Sequence, residues 1–555
     1  GNTLADPKFK DGEALKSFDY VVANPPFSDK RWSTGFDPLH DPYERFQTFG
    51  APPAKQGDYA YLLHIVRSLK STGKGACILP HGVLFRGNAE AEIRRKLVRR
   101  GYIKGIIGLP ANLFYGTGIP ACILVLDKEG AAGRKGIFMV DASKGFIKDG
   151  NKNRLQAQDI HKIVDTFTRQ LETPKYSRMV PLAEIEANDF NLNLPRYIDS
   201  TEPEDVQDIA AHLKGGIPNA DIDGLAPYWQ VFPNVRRELF ADAARAGYSQ
   251  PKVDASQVKA AIFSHAEFTA FNQTVTTLFG TWKAANTPLL AGIEQGDRPK
   301  ALIETLAESL LETFRSGEAI ASLIDPYGVY QHLLDYWAET LQDDAWMIAS
   351  DGWKATVDGK NNVDLIPPAL IVARYFAAEQ ATIEQREAGR DAISRQMEEM
   401  DEEHGGEDGL LADAKNDKGK LTKASVKARQ TEIKHNKEAA DERKLLDAYA
   451  DLIEQEAAAS RAVKDAQKAL DTQVAAQYAR LSEAEIKTLV VEDKWLAALA
   501  ASVQGELDRV SQALTGRIRQ LAERYATPLP RLAEEVETLA TRVDEHLKKM
   551  GFVWP

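Results

Sequence analysis

The segment FDYVVANPPFSDK, residues 18–30, places an Asn, two prolines and a Phe directly after a run of strand-forming residues. Prolines fix their own φ and push the preceding residue toward extended backbone, so Asn24 and the carbonyls around it point in set directions. A carboxamide oxygen and a main-chain carbonyl are both acceptors, and together they suit an amino group bearing two hydrogens. Phe27 adds a flat face on which a planar ring can stack. Asn24, Pro25, Pro26 and Phe27 therefore fit a planar amine such as an adenine presenting its N6 group. They also fit a strand-ending turn with a buried Phe, because Asn-Pro is a common turn dipeptide.

Other residues with chemical capacity carry two readings each. RRKLVRRGYIK (94–104) gathers Arg94, Arg95, Lys96, Arg99, Arg100 and Lys104, either for DNA phosphates or as a solvated helix face. The stretch from Gly35 to Gly57, flanked by Trp32 and carrying Phe46 and Phe49, is either a lid over a bound base or a packed surface loop. His81 follows a strand at LPHG and reads as structural more readily than catalytic. Cys77 and Cys122 lie in apolar runs, where buried reduced thiols are expected, and no Cys/His cluster has metal-ligand spacing.

These residues need elements to hold them. FDYVVA, ACILP, YIKGIIGLP, ACILVLDK and KGIFMVDA read as strands. Between the early ones, GDYAYLLHIVRSLKSTGKG shows helical spacing closed by Gly73, and AEAEIRRKLVRRG shows it closed by Gly101. Alternation of this kind predicts an α/β fold, a parallel sheet flanked by helices with an antiparallel edge. Ligands of such sheets sit beyond the carboxyl ends of the strands, where Asn24 to Phe27 falls. Residues 201–370 read as a helical connector. From 371 to 555 the texture is long helices with narrow apolar stripes, at Val463 to Leu481 and at Leu496 to Leu521, which need another helix to cover them. They predict a subunit-docking region, or a hairpin packing on itself.

FDYVVANPPF resembles the (D/N/S)-P-P-(F/Y/W) element of amino-methyltransferases that use S-adenosylmethionine. The continuation NPPFSDKRWSTG, then PPAKQGDYAYLLHIVRSLKSTGKGACILPHGVLFRGNAEAEIRRKLV and IKGIIGLPANLFYGTGIPACILVLDK, resembles the modification (M) subunit of Type I restriction–modification systems. So does VPLAEIEANDFNLNLPRYID at 180–199, and so do the C-terminal EAEIKTLVVEDKWLAAL and RYATPLPRLAEEVETLATRVDEHLKKMGF. The resemblance implies the C-terminal part of a Rossmann-like methyltransferase sheet in residues 1–200, followed by coiled-coil-like helices. It implies methylation of adenine N6 in duplex DNA after base flipping. Asn24 and the Pro25 carbonyl would accept from the amine, and Phe27 would stack on the base. It also implies as partners DNA, a specificity (S) subunit that reads the sequence, a second M subunit and a restriction (R) subunit.

The family's Gly-rich cofactor turn, Asp-Pro-x-x-Gly-Thr-Gly, does not occur in this sequence, and GTGIP at 116–120 precedes a strand where a helix is needed. That turn is expected before the Asn-Pro-Pro-Phe element, upstream of Gly1, so an N-terminally truncated fragment, inactive alone, is expected, with Asn2 either the remaining cofactor contact or part of a surface turn. Two other functions compete: a non-catalytic scaffold, and methylation of a protein glutamine amide, whose enzymes usually carry Tyr where Phe27 stands.

The 555 residues carry a formal net charge of −12, which argues against a protein gripping nucleic acid over most of its surface. Sequence reading delegated to a partner accounts for an acidic subunit. No run of about 18 apolar residues marks a membrane span, and a cytoplasmic protein is expected.

Overall fold

A computed structural model describes residues 2–201, 205–317, 320, 322–407 and 409–552. The chain forms two compact units that interleave in sequence. One comprises residues 1–272, 314–334 and 507–555, and the other 273–313 and 335–506.

The first unit is built on a six-stranded sheet: β1 Phe18–Ala23, β2 Leu69–Pro80, β3 Ile103–Gly108, β4 Ala121–Asp127, β5 Gly136–Asp141 and β6 Ser177–Pro181. Its spatial order is β6-β5-β3-β4-β2-β1. The pairs β1–β2 and β3–β5 are parallel, whereas β4 runs against both β2 and β3, and β6 runs against β5. The antiparallel strand ACILVLD is therefore not at the edge, as expected, but inside the sheet. Its composition permits this: Cys122, Leu124 and Leu126 are at most 1% exposed. The antiparallel edge is β6, from a segment not read as a strand. Four strands point the same way, so Ala23, Pro80, Gly108 and Asp141 end on one side of the sheet.

Strand β1 lies at the opposite edge and departs from the expectation of burial on both faces. Val21 and Ala23 pack against the core, while Tyr20 and Val22 are 75% and 80% exposed. Helix α1, Asp58–Arg67, packs Tyr59, Leu62, Leu63 and Val66 inward on a 3.6-residue period. It stops at Ser68, whose N–H bonds back to His64 and Ile65, and β2 begins at once with the buried Leu69. Gly73 does not close the helix; it lies where β2 passes so close to Phe18 that a Cβ would sit 2.9 Å from the Phe18 carbonyl. Helix α2, Ala89–Arg99, ends as expected before Gly101, whose φ of +69° favours glycine.

In the second unit, α3 (Ala377–His404) and α4 (Ala440–Tyr478) pack along each other as a helical hairpin. Val463, Leu470 and Val474 are buried there, and Leu496, Leu499, Val503, Leu507, Val510, Leu514, Ile518 and Leu521 are all at most 5% exposed, apart from the 8% and 6% of Val463 and Val474. Most side chains of the two stripes are thus buried in this chain. The last helix, α5 (Leu529–Lys549), belongs to the first unit and is different, because none of its residues is buried.

Candidate active site at the Asn24–Phe27 corner

The corner leaves β1 at Ala23 and emerges on the side where the parallel strands end. Asn24 and Pro26 are exposed, Pro25 is buried and Phe27 is half-buried. Among the described residues, no hydrogen bond engages the Asn24 side chain or the Pro25 carbonyl. The Asn24 side chain is exposed to solvent, on a backbone that the prolines hold still.

What holds the far side of the corner is α1. Asp58, fully buried at the start of that helix, accepts from the Ser28 N–H through Oδ1 at 2.7 Å and from Arg86 through Oδ2 at 2.7 Å. A carboxylate in the first turn of a helix is favoured by the helix dipole, and its two charge-assisted bonds join chain ends that are distant in sequence. Ser28 takes φ +51°, a conformation that needs such over-determination for a residue with a Cβ. Beyond it, Tyr61 donates to Asp29 at 3.1 Å and Gly57 N–H donates to the Asp29 carbonyl at 3.0 Å.

The other wall was not foreseen. Residues 109–120 run between the end of β3 and the start of β4, so they lie on the same side of the sheet as the corner. Their Phe114 meets Phe27 edge-on, with ring centroids 5.8 Å apart and planes at 74°. Lys152 donates to the carbonyls of Phe114 (2.8 Å) and Thr117 (3.0 Å), and Asn153 donates to those of Ala111 (2.6 Å) and Asn112 (3.0 Å), which sets the loop's path. Tyr115, next along, is 95% exposed. The signal was in the sequence: LFYG is an aromatic pair in a Pro- and Gly-bounded link between two strands.

The remaining sequence-predicted residues do not join this corner. Arg94 is 2% exposed and donates to the carbonyls of Phe190 (2.8 Å), Val83 (3.1 Å) and Arg86 (2.9 Å), so it cannot hold a phosphate. Arg95 pairs with Glu92 and Asp189, and with Arg99 it covers the Phe190 ring. Arg100 lies over Phe49. The run is a helix face tied to its own protein. Trp32, Phe46 and Phe49 are 1%, 3% and 6% exposed, so the 35–57 segment is the packed loop and not a lid. His81 has Nε2 buried without a hydrogen-bond partner, and burial lowers its pKa. Cys77 and Cys122 are buried free thiols; burial pushes that of Cys77 up to about 12. Among the described residues no group of His, Cys, Asp or Glu is placed to hold a metal ion.

S-adenosylmethionine, the implied cofactor, finds no seat in this arrangement. Asn2, expected to meet it, uses its carboxamide on its own turn: the oxygen accepts from the Leu4 and Ala5 N–H groups at 3.0 and 3.2 Å, and the nitrogen donates to Thr34 at 3.4 Å. The sequence holds no Gly-rich turn, and the residues present do not fit the donor.

Two acceptors, a half-buried ring and a buttress beneath them make a corner of a shape and polarity that can receive a flat amine. The chain was compared with known proteins. The N-6 DNA Methylase family model matches residues 1–206. Among curated relatives, the Type I restriction enzyme MjaVII methylase subunit of Methanocaldococcus jannaschii is 34% identical over 225 residues, 39% of this chain and 37% of that subunit. The HindI methylase subunit of Haemophilus influenzae is 34% identical over 202 residues, 34% of this chain and 44% of that one. The match thus spans well under half the length of these relatives. A solved Type I methyltransferase subunit from Streptococcus thermophilus is 40% identical, covering 36% of this chain and 41% of its own, with a TM-score of 0.32. The resemblance to Type I modification subunits read from the sequence is thus shared by the family model and the curated relatives.

Proposed function

We propose that this chain is the acceptor-binding part of a Type I modification subunit, which methylates N6 of adenine in duplex DNA. The observation that carries this reading is the pair of unengaged acceptors, Asn24 and the Pro25 carbonyl, beside Phe27 on a corner clamped by Asp58. An adenine reaches them only after leaving the base stack, at a cost of a few kcal/mol that stacking on Phe27 offsets. With both N6 hydrogens accepted, the nitrogen lone pair turns out of conjugation with the ring and becomes nucleophilic. The extra proton leaves after the nitrogen has become cationic, so no strong general base is required. Positioning and electrostatics supply the rate. S-adenosylmethionine would supply the methyl group from a site these residues do not form.

The partners in this proposal are DNA, an S subunit that chooses the sequence, a second M subunit and an R subunit, in the cytoplasm. No helix among the described residues is long and apolar enough to cross a membrane. The test is base flipping in the assembled complex. A duplex with 2-aminopurine at the target position should brighten several-fold on binding, and Phe27→Ala should reduce that gain while leaving duplex affinity within a few-fold. Equal brightening with the variant would remove Phe27 from the site.

A further inference from the structure

The loop that walls the corner turns one aromatic ring inward and the next one out. Leu113 and Phe114 pack on the apolar cluster of Ile107, Leu109 and Phe138, and Phe114 meets Phe27. Tyr115 follows at once and is 95% exposed, the most exposed large hydrophobic side chain among the described residues. A single exposed ring is common on protein surfaces and means nothing by itself. What sets Tyr115 apart is the way its loop is built.

The tip that carries it is closed at its base, where Asn112 N–H donates to the Gly118 carbonyl at 3.3 Å. Inside that closure a single ammonium, Lys152 Nζ, holds the carbonyls on both sides of Tyr115–Gly116, those of Phe114 and Thr117. Lys152 itself stands on a hairpin, Ile147–Asp149 paired with Lys152–Arg154. Gly116 turns the chain at φ +78°, and the Thr117 hydroxyl accepts from Ile119 N–H at 3.1 Å. The backbone thus holds Tyr115 out against the pull of burial, and it has little freedom left to lose on binding. Residues 109–120 contain no Asp or Glu that would repel a phosphate. A subunit contact would need a broad apolar patch around the ring, and within this loop Ile119, 51% exposed, is the one other exposed large hydrophobic.

A base that swings into the corner leaves a gap in the stack of its strand and an unpaired base opposite. A flat side chain inserted there replaces the lost stacking, as wedges between base steps do elsewhere. Tyr115 is one residue away from the ring that walls the seat. Its ring offers a flat face, and its hydroxyl can stay in water or bond a base edge. We infer that Tyr115 is a wedge that enters the duplex and fills the place of the everted adenine. The inference rests on the proposed reading of Asn24–Phe27 as a base seat, and adds to it the residue that keeps the seat filled.

The experiment follows 2-aminopurine at the target position in the assembled complex, on two duplexes. In one the target is paired; in the other it faces an abasic site, so that no base pair has to open and the seat fills with or without a wedge. On the paired duplex Tyr115→Ala should lower the flipped population about tenfold, the loss expected of one base–aromatic stack. Tyr115→Trp, which keeps a flat ring, should retain it. On the abasic duplex Tyr115→Ala should match the parent. Equal brightening of Tyr115→Ala and parent on the paired duplex overturns the inference. So does a deficit of the same size on both duplexes, which would make Tyr115 part of the seat. A Tyr115→Ala complex that comes apart in size-exclusion chromatography also overturns it, and assigns the ring to a subunit contact. Failure of the seat reads differently, because the parent itself would then leave both duplexes dark.

Discussion

In the proposed reaction Asn24 accepts through one oxygen, so truncating it should affect the reaction more than the encounter. Removing a hydrogen bond realised in the transition state typically lowers turnover by about 10²-fold or more, and Asn24→Ala should do so with DNA affinity nearly unchanged. Arg94 belongs to a different class. It satisfies three backbone carbonyls from a buried position, so Arg94→Ala should lower unfolding free energy by about 3 kcal/mol, read by urea denaturation. Arg100→Ala, on the exposed surface, should cost less than about 1 kcal/mol. The sequence made the corner legible because its chemistry is local to four residues. Arg94 was misread as surface by its type, although Glu90, Ile93, Arg94, Leu97 and Val98 share one helical face and are all buried. Phe114 was missed because its partner Phe27 lies 87 positions away, and only strand order brings them together.

At the scale of elements, α1 carries both the buttress under the corner and a titrating group. His64 Nδ1 accepts from Arg45 at 3.2 Å, and burial first, then the Arg45 charge, holds its pKa down at about 4. The unfolded chain binds a proton at about 6.5, so between these values the unfolded state takes up more protons than the folded one. Stability is therefore full above about pH 6.5 and lost as pH falls toward 4, by up to about 3 kcal/mol from this residue. A His64→Gln variant should show a flatter decline of melting temperature over that window. A decline as steep as in the parent would assign the acid sensitivity elsewhere. Strands and helices were legible from periodicity, but strand order was not. The link between β4 and β5 is too short for a helical crossover, which says the two are not a parallel neighbouring pair, yet does not say that β3 lies between them. Exposure of Tyr20 and Val22 was equally hidden, because an apolar run does not tell an edge from a centre.

At the scale of the whole molecule, the apolar stripes of the C-terminal helices differ in how far the described residues cover them. In α5, Leu532, Val536, Leu539 and Val543 recur at three- and four-residue steps and are 42–65% exposed. This is the pattern of a helix that packs on another helix. Val536→Glu with Leu539→Glu should abolish association with a partner subunit in size-exclusion chromatography while leaving the circular dichroism and melting of the chain unchanged. Loss of helicity on its own would instead make the stripe part of this protein's own fold. The sequence announced docking helices but could not say which stripe was free, since covered and open stripes share one repeat.

The central claim is that the Asn24–Phe27 corner holds an adenine by its N6 amine for methylation. The most direct measurement is nucleoside mass spectrometry of duplex DNA incubated with the assembled complex and S-adenosylmethionine. The account predicts N6-methyladenine with the parent protein and its loss, to about 1% or less in a single turnover, with Asn24→Ala. An Asn24→Ala complex that deposits N6-methyladenine at the parent rate, or a parent complex that modifies a different base, would contradict it.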